Sequence, residues 1–193
     1  MKTTRLPRRE LLIAYLAAAA ACTHLIEAAL PAFGPWFKPG LANTFTVVAL
    51  YGLGLHAAVA VTIIRVLVSS LLMGTLLSPS FMMSLSGALG VVMAMSLFAS
   101  LRNRAVLDSS AKVRAAAQRE WTLGPIGASL LCSLAHIVMQ LFAAWLIVIG
   151  HAGVWLLLPW LLIGAWLTGI INGFLAHAIL TRTGFRLIAE VGR

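Results

Sequence analysis

The sequence has few acidic residues. Asp and Glu together number 5, against 14 Lys and Arg, and Asp108 is the only aspartate. Mg²⁺-dependent transferases need several carboxylates around the ion, and this chain cannot supply them in the spans. It also has no P-loop lysine motif and no Ser/His/Asp or Cys/His constellation. These absences predict a protein that is not an enzyme and that uses no cofactor.

Cysteine is also scarce. Cys22 and Cys132 both lie in apolar stretches, and neither a CxxC motif nor a Cys/His zinc spacing occurs. We therefore expect no structural disulfide and no metal site.

The net charge of +9 could indicate a nucleic-acid partner. However, hydrophobic residues make up 61% of the chain and its mean hydropathy is +0.99, which excludes an ordinary soluble domain. The basic residues flank apolar runs, where such charges set topology and contact anionic lipid. We expect no nucleic-acid partner.

Long apolar runs dominate the rest of the sequence. About 20 residues of α-helix cross a hydrocarbon core of about 30 Å, and five of the runs are long enough to do so. The second run is short, but it lies between two strong ones and can span with little tilt. The pattern predicts an all-α membrane protein with six transmembrane helices in one domain, 1–193, interrupted by a cytoplasmic linker at about 102–122. The six runs fill about residues 11–33, 41–55, 57–77, 80–101, 123–149 and 154–180.

The basic residues also predict orientation. All but two of them fall at the N-terminus, in the 102–122 linker or in the C-terminal tail; Lys38 lies on the opposite side and Arg65 inside the third span. Loops rich in Lys and Arg stay in the cytoplasm, so we expect cytoplasmic N and C termini in a multi-pass protein of the bacterial inner membrane. The longest external connection, 31–40, could be a lid or a simple anchoring loop.

Polar side chains inside the spans are informative because a membrane helix does not need them to fold. A charged residue at mid-bilayer costs about 2.5–3.5 kcal/mol on insertion scales. Glu27 and Arg65 carry the only opposite permanent charges within the spans. We expect either a buried pair or joint ligands of one polar substrate. The predicted orientation places six candidates at the middle or in the outer half of the membrane, lining an outward cavity: Glu27, Asn43, Arg65, Ser84, His136 and Gln140.

The first span also carries small residues. Such faces allow helices to approach closely, either within the protein or with a partner. The predicted partner-binding residues are Ala14, Ala17, Ala18 and Ala21.

Several short motifs occur in a recognisable order. They include Glu27-Ala-Ala-Leu-Pro31, Pro39-Gly-Leu-Ala-Asn43 and Ser78-Pro-Ser-Phe-Met-Met-Ser84, followed by His136 and Gln140. Over roughly residues 24–180 the chain resembles a bacterial membrane family labelled "Gx transporter" or "heptaprenyl diphosphate synthase component I". That family is similar to the substrate-binding S components of energy-coupling-factor (ECF) transporters. The resemblance implies an S-component-like six-helix fold, an outward pocket under the first external loop, and a coupling transmembrane partner that meets helix 1.

Three functions remain open from the sequence. The first is a substrate-capture subunit of an uptake system that relies on ATPase and coupling subunits from other chains to import a small molecule. The second is a non-catalytic accessory of isoprenoid or quinone metabolism that recruits a soluble synthase. The third is a structural assembly factor, which would have no enclosed pocket.

Overall fold

The computed structural model describes residues 8–29, 40–107 and 123–183, and this part of the chain is helical throughout apart from short connections. Residues 31–39 of the predicted external connection (31–40), residues 108–122 of the predicted linker (102–122) and the C-terminal residues after 183 lie outside the described residues. A π-helical segment, Ala144–Ile149, extends α5, and a 3₁₀ segment, Ala152–Leu157, leads into α6. Within the described residues the α-helices are α1 (Arg8–Ala29), α2 (Asn43–Leu53), α3 (Leu55–Leu72), α4 (Pro79–Leu107), α5 (Pro125–Ala143) and α6 (Leu158–Arg182).

Within the described residues, five helices are long and apolar enough to cross a membrane: α1, α3, α4, and α5 and α6 with their extensions. The sixth helix, α2, is present but shorter than the predicted run at 41–55. This helix has 11 residues, so it rises only about 16 Å, roughly half of a hydrocarbon core. It ends at Leu53 and is followed by Gly54, which adopts a φ of +92° that only glycine adopts easily.

The short helix α2 occupies the centre of the bundle. It contacts α1, α3, α5 and α6, and eight of its 11 residues are buried. A helix enclosed on all sides by other helices is apolar all round, which explains why its sequence resembles a membrane span. The hydrophobic core is built around Val47, Val48 and Leu50 of this helix.

Neighbouring helices run antiparallel around α2. Arg9 of α1 donates to the Leu53 carbonyl (3.3 Å), while Glu27 at the other end of α1 contacts Leu41, just before α2. The hydroxyls of Thr46 and Thr62 bond across the α2–α3 pair at 3.1 Å. These contacts bring the end of α1 and the middle of α3 to the start of α2.

Helices α5 and α6 approach closely at glycines of α6. A Cβ on Gly173 would lie 2.5 Å from Ile126 Cα, and one on Gly169 would lie 2.9 Å from Leu130 Cα. Small residues at such positions allow the van der Waals packing that drives helix association in lipid. Large apolar side chains such as Leu156 and Trp160 cover the outside of the bundle, as expected of a surface that faces lipid.

Candidate functional site

A buried arginine lies beside the first turn of α2. Arg65 of α3 is 4% exposed, and its Nη1 donates to Asn43 Oδ1 at 2.9 Å. Asn43 is the first residue of α2 and is also buried. The Arg65 carbonyl accepts from the Ser69 hydroxyl at 2.7 Å, one turn further along α3. The structure therefore brings together two of the residues predicted from sequence.

Glu27 reaches the same place from α1. It is buried, and its Oε1 accepts a hydrogen bond from the backbone N–H of Leu41. Its charge, opposite to that of Arg65, offsets part of the cost of removing the guanidinium from water. Glu27 and Arg65 thus attract each other electrostatically. Their hydrogen-bond partners, Leu41 and Asn43, lie two residues apart at the start of α2.

Asn172 of α6 completes the group, and the sequence analysis missed it. This side chain is 1% exposed. Its Nδ2 donates to the Gly40 carbonyl at 3.0 Å, and its Oδ1 accepts from the Thr44 hydroxyl at 3.3 Å. The sequence feature that could have identified Asn172 is an amide side chain within an apolar span, on the same helical face as Thr168.

Together these side chains form what we name the α2 clamp, defined as Glu27, Asn43, Thr44, Arg65 and Asn172. The clamp surrounds the non-helical residues 40–42 deep inside the bundle. Asn172 lies 14 residues into the 25-residue α6, about 21 Å from its start at 1.5 Å per residue. A chain that enters a helix at such depth must have its backbone groups satisfied by protein, because lipid offers no hydrogen bonds.

Four hydrogen bonds satisfy backbone groups of this turn. The Gly40 carbonyl accepts from the N–H of Asn43 (3.0 Å) as well as from Asn172, and the Leu41 carbonyl accepts from the N–H of Thr44 (3.0 Å). The Leu41 N–H donates to Glu27. Three separate helices therefore hold the start of α2 through polar side chains.

His136 lies on the α5 side of the same region. Its ring occupies the space in front of Gly87 of α4, where a Cβ would come within 2.6 Å of Nδ1 and 2.7 Å of Nε2. Its Nδ1 is buried and has no hydrogen-bond partner among the described residues. A glycine at position 87 is therefore required for the imidazole to sit between α4 and α5.

Ser84 and Gln140 are only half-buried. Ser84 lies one turn before Gly87, and Gln140 lies one turn after His136, so both share a face with the His136 contact. No hydrogen bond between described residues joins either of them to the α2 clamp. Their predicted role in substrate binding stays a prediction.

Two buried serines of α5 differ from Thr62 and Ser69 of α3. Ser129 and Ser133 are 1% and 5% exposed, yet their hydroxyls have no hydrogen-bond partner among the described residues. By contrast, Thr62 and Ser69 of α3 donate to backbone carbonyls one turn back, at 2.8 and 2.7 Å. That local bond is the usual solution for a hydroxyl in a membrane helix.

The four alanines predicted to meet a partner divide into two faces. Ala17 and Ala21 are buried within the chain, so they serve the chain's own packing and do not lie on its surface. Ala14 and Ala18 are exposed, next to the strongly exposed Tyr15. The predicted contact of these alanines with a partner stays a prediction.

An apolar cavity of about 10 Å³ lies between α2, α4 and α5. That volume is close to one water-sized probe, too small for a metabolite. The cavity contains none of the six predicted site residues; its lining is Leu50, Ala94, Met95, Phe98, Ala128, Leu131 and Cys132. In the described part of the chain, no group of three or more His, Cys, Asp or Glu side chains could hold a metal ion.

Comparison with known proteins identifies the family. No curated protein and no solved structure shows significant similarity to the chain. The family model described as heptaprenyl diphosphate synthase component I matches residues 16–179, a range that contains the whole α2 clamp. The resemblance predicted from the ordered motifs is thereby confirmed. This multi-helix membrane protein belongs to the heptaprenyl diphosphate synthase component I family.

Proposed function

We propose that the chain is the substrate-binding membrane subunit of an ECF-like uptake transporter for a small vitamin- or precursor-like molecule. In this proposal the chain performs no catalysis, and ATPase and coupling subunits come from other chains. The observation that supports it best is the buried Arg65, whose guanidinium is bonded at Nη1 by Asn43 but has no partner at Nε among the described residues. A charge kept deep in a lipid-embedded bundle marks a functional site by default.

The half-length α2 is a second argument for transport. Substrate sites of membrane transporters are commonly built where a helix is interrupted near the middle of the membrane, since the interruption exposes backbone and helix-end dipoles to a ligand. Helix α2 begins inside the bundle beside Arg65 and Glu27. In this proposal the N and C termini are cytoplasmic and the membrane is the bacterial inner membrane, so the Asn43 end of α2 points to the periplasm.

We assign different roles to the six predicted site residues. Arg65 and Asn43 contact the substrate directly, and Glu27 holds the turn before α2 in place. His136, Ser84 and Gln140 form the wall contributed by α4 and α5, on the far side of Gly87. A coupling transmembrane subunit contacts the exposed face of α1 at Ala14 and Ala18.

The experiment that tests this proposal is a pull-down in gentle detergent followed by mass spectrometry and an uptake assay. ATPase and coupling subunits are expected with the wild-type chain. Arg65→Ala should abolish uptake while leaving membrane insertion intact. Arg9→Ala is the matched control, because Arg9 is exposed at the opposite end of α1. Unchanged uptake in Arg65→Ala would reject the site.

The family description favours a second function, a non-catalytic membrane accessory of isoprenoid or quinone biosynthesis. Such a protein would hold a prenyl chain in a lipid-facing groove and recruit a soluble synthase. The same pull-down separates the two functions. A prenyl synthase recovered without ATPases would replace the transporter proposal by this one.

A further inference from the structure

The connection between α3 and α4 is unusually apolar for a turn between two helices. We name residues 71–78 the α3–α4 turn; α3 ends at Leu72 and α4 begins at Pro79. No Asp, Glu, Lys, Arg or His occurs anywhere between Arg65 and Arg102. Turns that meet water are built mainly from Gly, Pro, Asn, Asp and Ser. The large apolar side chains exposed here are Leu71, Leu72, Met73, Leu76 and Leu77.

Leu77 stands in a backbone conformation that a leucine rarely adopts. Its φ is +64°, and its side chain is 77% exposed. Gly, Asn and Asp are the usual residues in this region, because a Cβ is crowded there and a leucine forms no compensating hydrogen bond. A leucine at such a position is favourable where its side chain leaves water, and acyl chains provide that environment.

The backbone of the turn is largely satisfied from within. Irregular backbone is tolerated at membrane depth only where protein groups take its hydrogen bonds. Pro79 has no N–H to satisfy, and the Ser78 hydroxyl accepts from the N–H of Phe81 at 3.3 Å. The internal N–H to carbonyl bonds are Met73 to Ser69 (2.9 Å), Gly74 to Leu71 (3.1 Å), Thr75 to Ser70 (2.9 Å) and Ser78 to Thr75 (3.0 Å).

Two hydrogen bonds place the starts of three helices at one end of the bundle. Arg9, in the first turn of α1, donates to the Leu53 carbonyl at 3.3 Å. The Tyr51 hydroxyl donates to the carbonyl of Leu123, two residues before α5. Because only Gly54 separates α2 from α3, the starts of α1, α3 and α5 all lie beside the end of α2.

Measured from that end, α3 is shorter than α5. Helix α3 has 18 residues and rises about 27 Å, whereas α5 with its π-helical extension has 25 residues and rises roughly 35 Å. Trp145, about 30 Å along α5, packs against Trp155 with ring centroids 6.1 Å apart. Tryptophans favour the boundary between hydrocarbon and headgroups. The end of α3 therefore falls below this boundary, within a hydrocarbon core of about 30 Å.

The outer surface of the bundle continues into the turn without a polar break. Leu67 and Val68 are exposed on α3, one turn before Leu71 and Leu72, and Met82 is exposed at the start of α4. The α5–α6 connection differs, since it carries the exposed His151 beside the tryptophan pair. The surface that contacts lipid along α3 is thus continuous with the α3–α4 turn.

We propose that the α3–α4 turn is embedded in the acyl chains of the bilayer and does not reach the water beyond it. The occupant of this surface is lipid hydrocarbon, which covers Leu72, Leu76 and Leu77. The proposal is independent of the proposed function, because it holds for a transporter subunit and for a biosynthetic accessory alike.

The test uses single cysteines in the purified full chain, with Cys22→Ala and Cys132→Ala as background, in phosphatidylcholine nanodiscs. Leu77→Cys reports on the turn. Leu67→Cys is the control for a lipid-facing position in mid-helix, and Ala152→Cys is the control for the exposed α5–α6 connection. A charged, membrane-impermeant maleimide measures access to water, because only a hydrated thiol ionises and reacts.

Leu77→Cys should react about tenfold more slowly than Ala152→Cys, at a rate close to that of Leu67→Cys. All three should react equally fast in SDS. Bimane attached to each cysteine in detergent before reconstitution then identifies what covers the site. Brominated acyl chains should quench bimane at positions 77 and 67 and leave it bright at position 152. Leu76→Cys repeats both measurements on the same turn, in case the backbone at position 77 does not accept a cysteine.

Two outcomes would overturn the proposal. Labelling of Leu77→Cys and Leu76→Cys as fast as that of Ala152→Cys would place the turn in water. Slow labelling without quenching by the brominated chains would show that protein, either another segment of this chain or a second copy, covers the turn in place of lipid.

Discussion

Asn172 offers the sharpest test of how α2 is held in the bundle. Replacing it by leucine keeps a side chain of similar length but removes two hydrogen bonds, the one to the Gly40 carbonyl (3.0 Å) and the one from the Thr44 hydroxyl (3.3 Å). Because Gly40 lies just before α2 and Thr44 lies in its first turn, the change loosens α6 from the α2 clamp. We expect the helices to insert normally and the folded bundle to be less stable.

The size of the effect follows from the two bonds. Hydrogen bonds between membrane helices contribute about 0.6 kcal/mol on average and at most about 1.7 kcal/mol. The Gly40 carbonyl keeps its bond from Asn43 N–H, so only one of its two lone pairs is affected. The Thr44 hydroxyl loses its acceptor in a buried position. The two losses together predict a decrease of about 1–3 kcal/mol in the free energy of unfolding.

Reversible unfolding in mixed micelles, followed by circular dichroism during an SDS titration, measures this free energy. A double-mutant cycle with Thr44→Val isolates the Thr44–Asn172 bond, and we expect a coupling energy of about 0.6–1.7 kcal/mol. Thr181→Val is the control, because the exposed Thr181 hydroxyl bonds only its own helix, at the His177 carbonyl. A coupling energy of zero, or equal effects of Asn172→Leu and Thr181→Val, would refute the proposed clamp.

Three further predictions concern other parts of the bundle. Glu27→Gln keeps an acceptor for the Leu41 N–H but removes the charge that offsets Arg65, so the free energy of unfolding should fall by about 1–3 kcal/mol; no change in the SDS titration would contradict the electrostatic role. Gly173→Ala places a Cβ 2.5 Å from a Cα of α5 and should cost about 1–3 kcal/mol, whereas Gly124→Ala, which meets nothing within 4 Å, should cost much less. In a Cys22→Ala background, N-ethylmaleimide should label the buried Cys132 only after SDS denaturation; labelling of the folded protein would place Cys132 at the surface.

Much of the fold could be predicted from hydropathy and charge. Apolar runs of 20 residues have few alternatives to a helix in lipid, so five of the helices were predicted close to their observed positions. The length of α2 could not be predicted in the same way. Its residues are apolar because other helices enclose them, and hydropathy does not distinguish enclosure by protein from contact with lipid.

The candidate site was predictable only in part, for a similar reason. The cost of burying a charge singles out Glu27 and Arg65 in any membrane sequence. Asn172 is uncharged, so its burial carries no such cost. Its contact with Gly40, 132 positions away in the chain, depends on where α2 begins. The unusual feature of Ser133 is the direction of its hydroxyl, and the sequence carries no information on a side-chain rotamer.

The alanines of α1 illustrate the same limit. A helix of small residues can present close-packing faces on two sides, and composition alone does not say which one is internal. The structure places Ala17 and Ala21 inside and leaves Ala14 and Ala18 outside. A partner-binding test should therefore substitute the outer pair, with the inner pair reserved for stability measurements.

The sequence left two explanations for the opposite charges, mutual neutralisation or joint binding of a substrate, and the geometry indicates that these are separate tasks of separate atoms. Glu27 bonds the backbone before α2 and offsets the charge of Arg65. Arg65 uses Nη1 to hold Asn43 and keeps Nε without a partner in the described chain. Removing the Glu27 charge should therefore lower stability first. Arg65→Lys, which retains the charge, should lower ligand affinity more than stability. If both variants lost stability and affinity in the same proportion, the charges would form a single structural pair, and the argument for a ligand at Nε would fail.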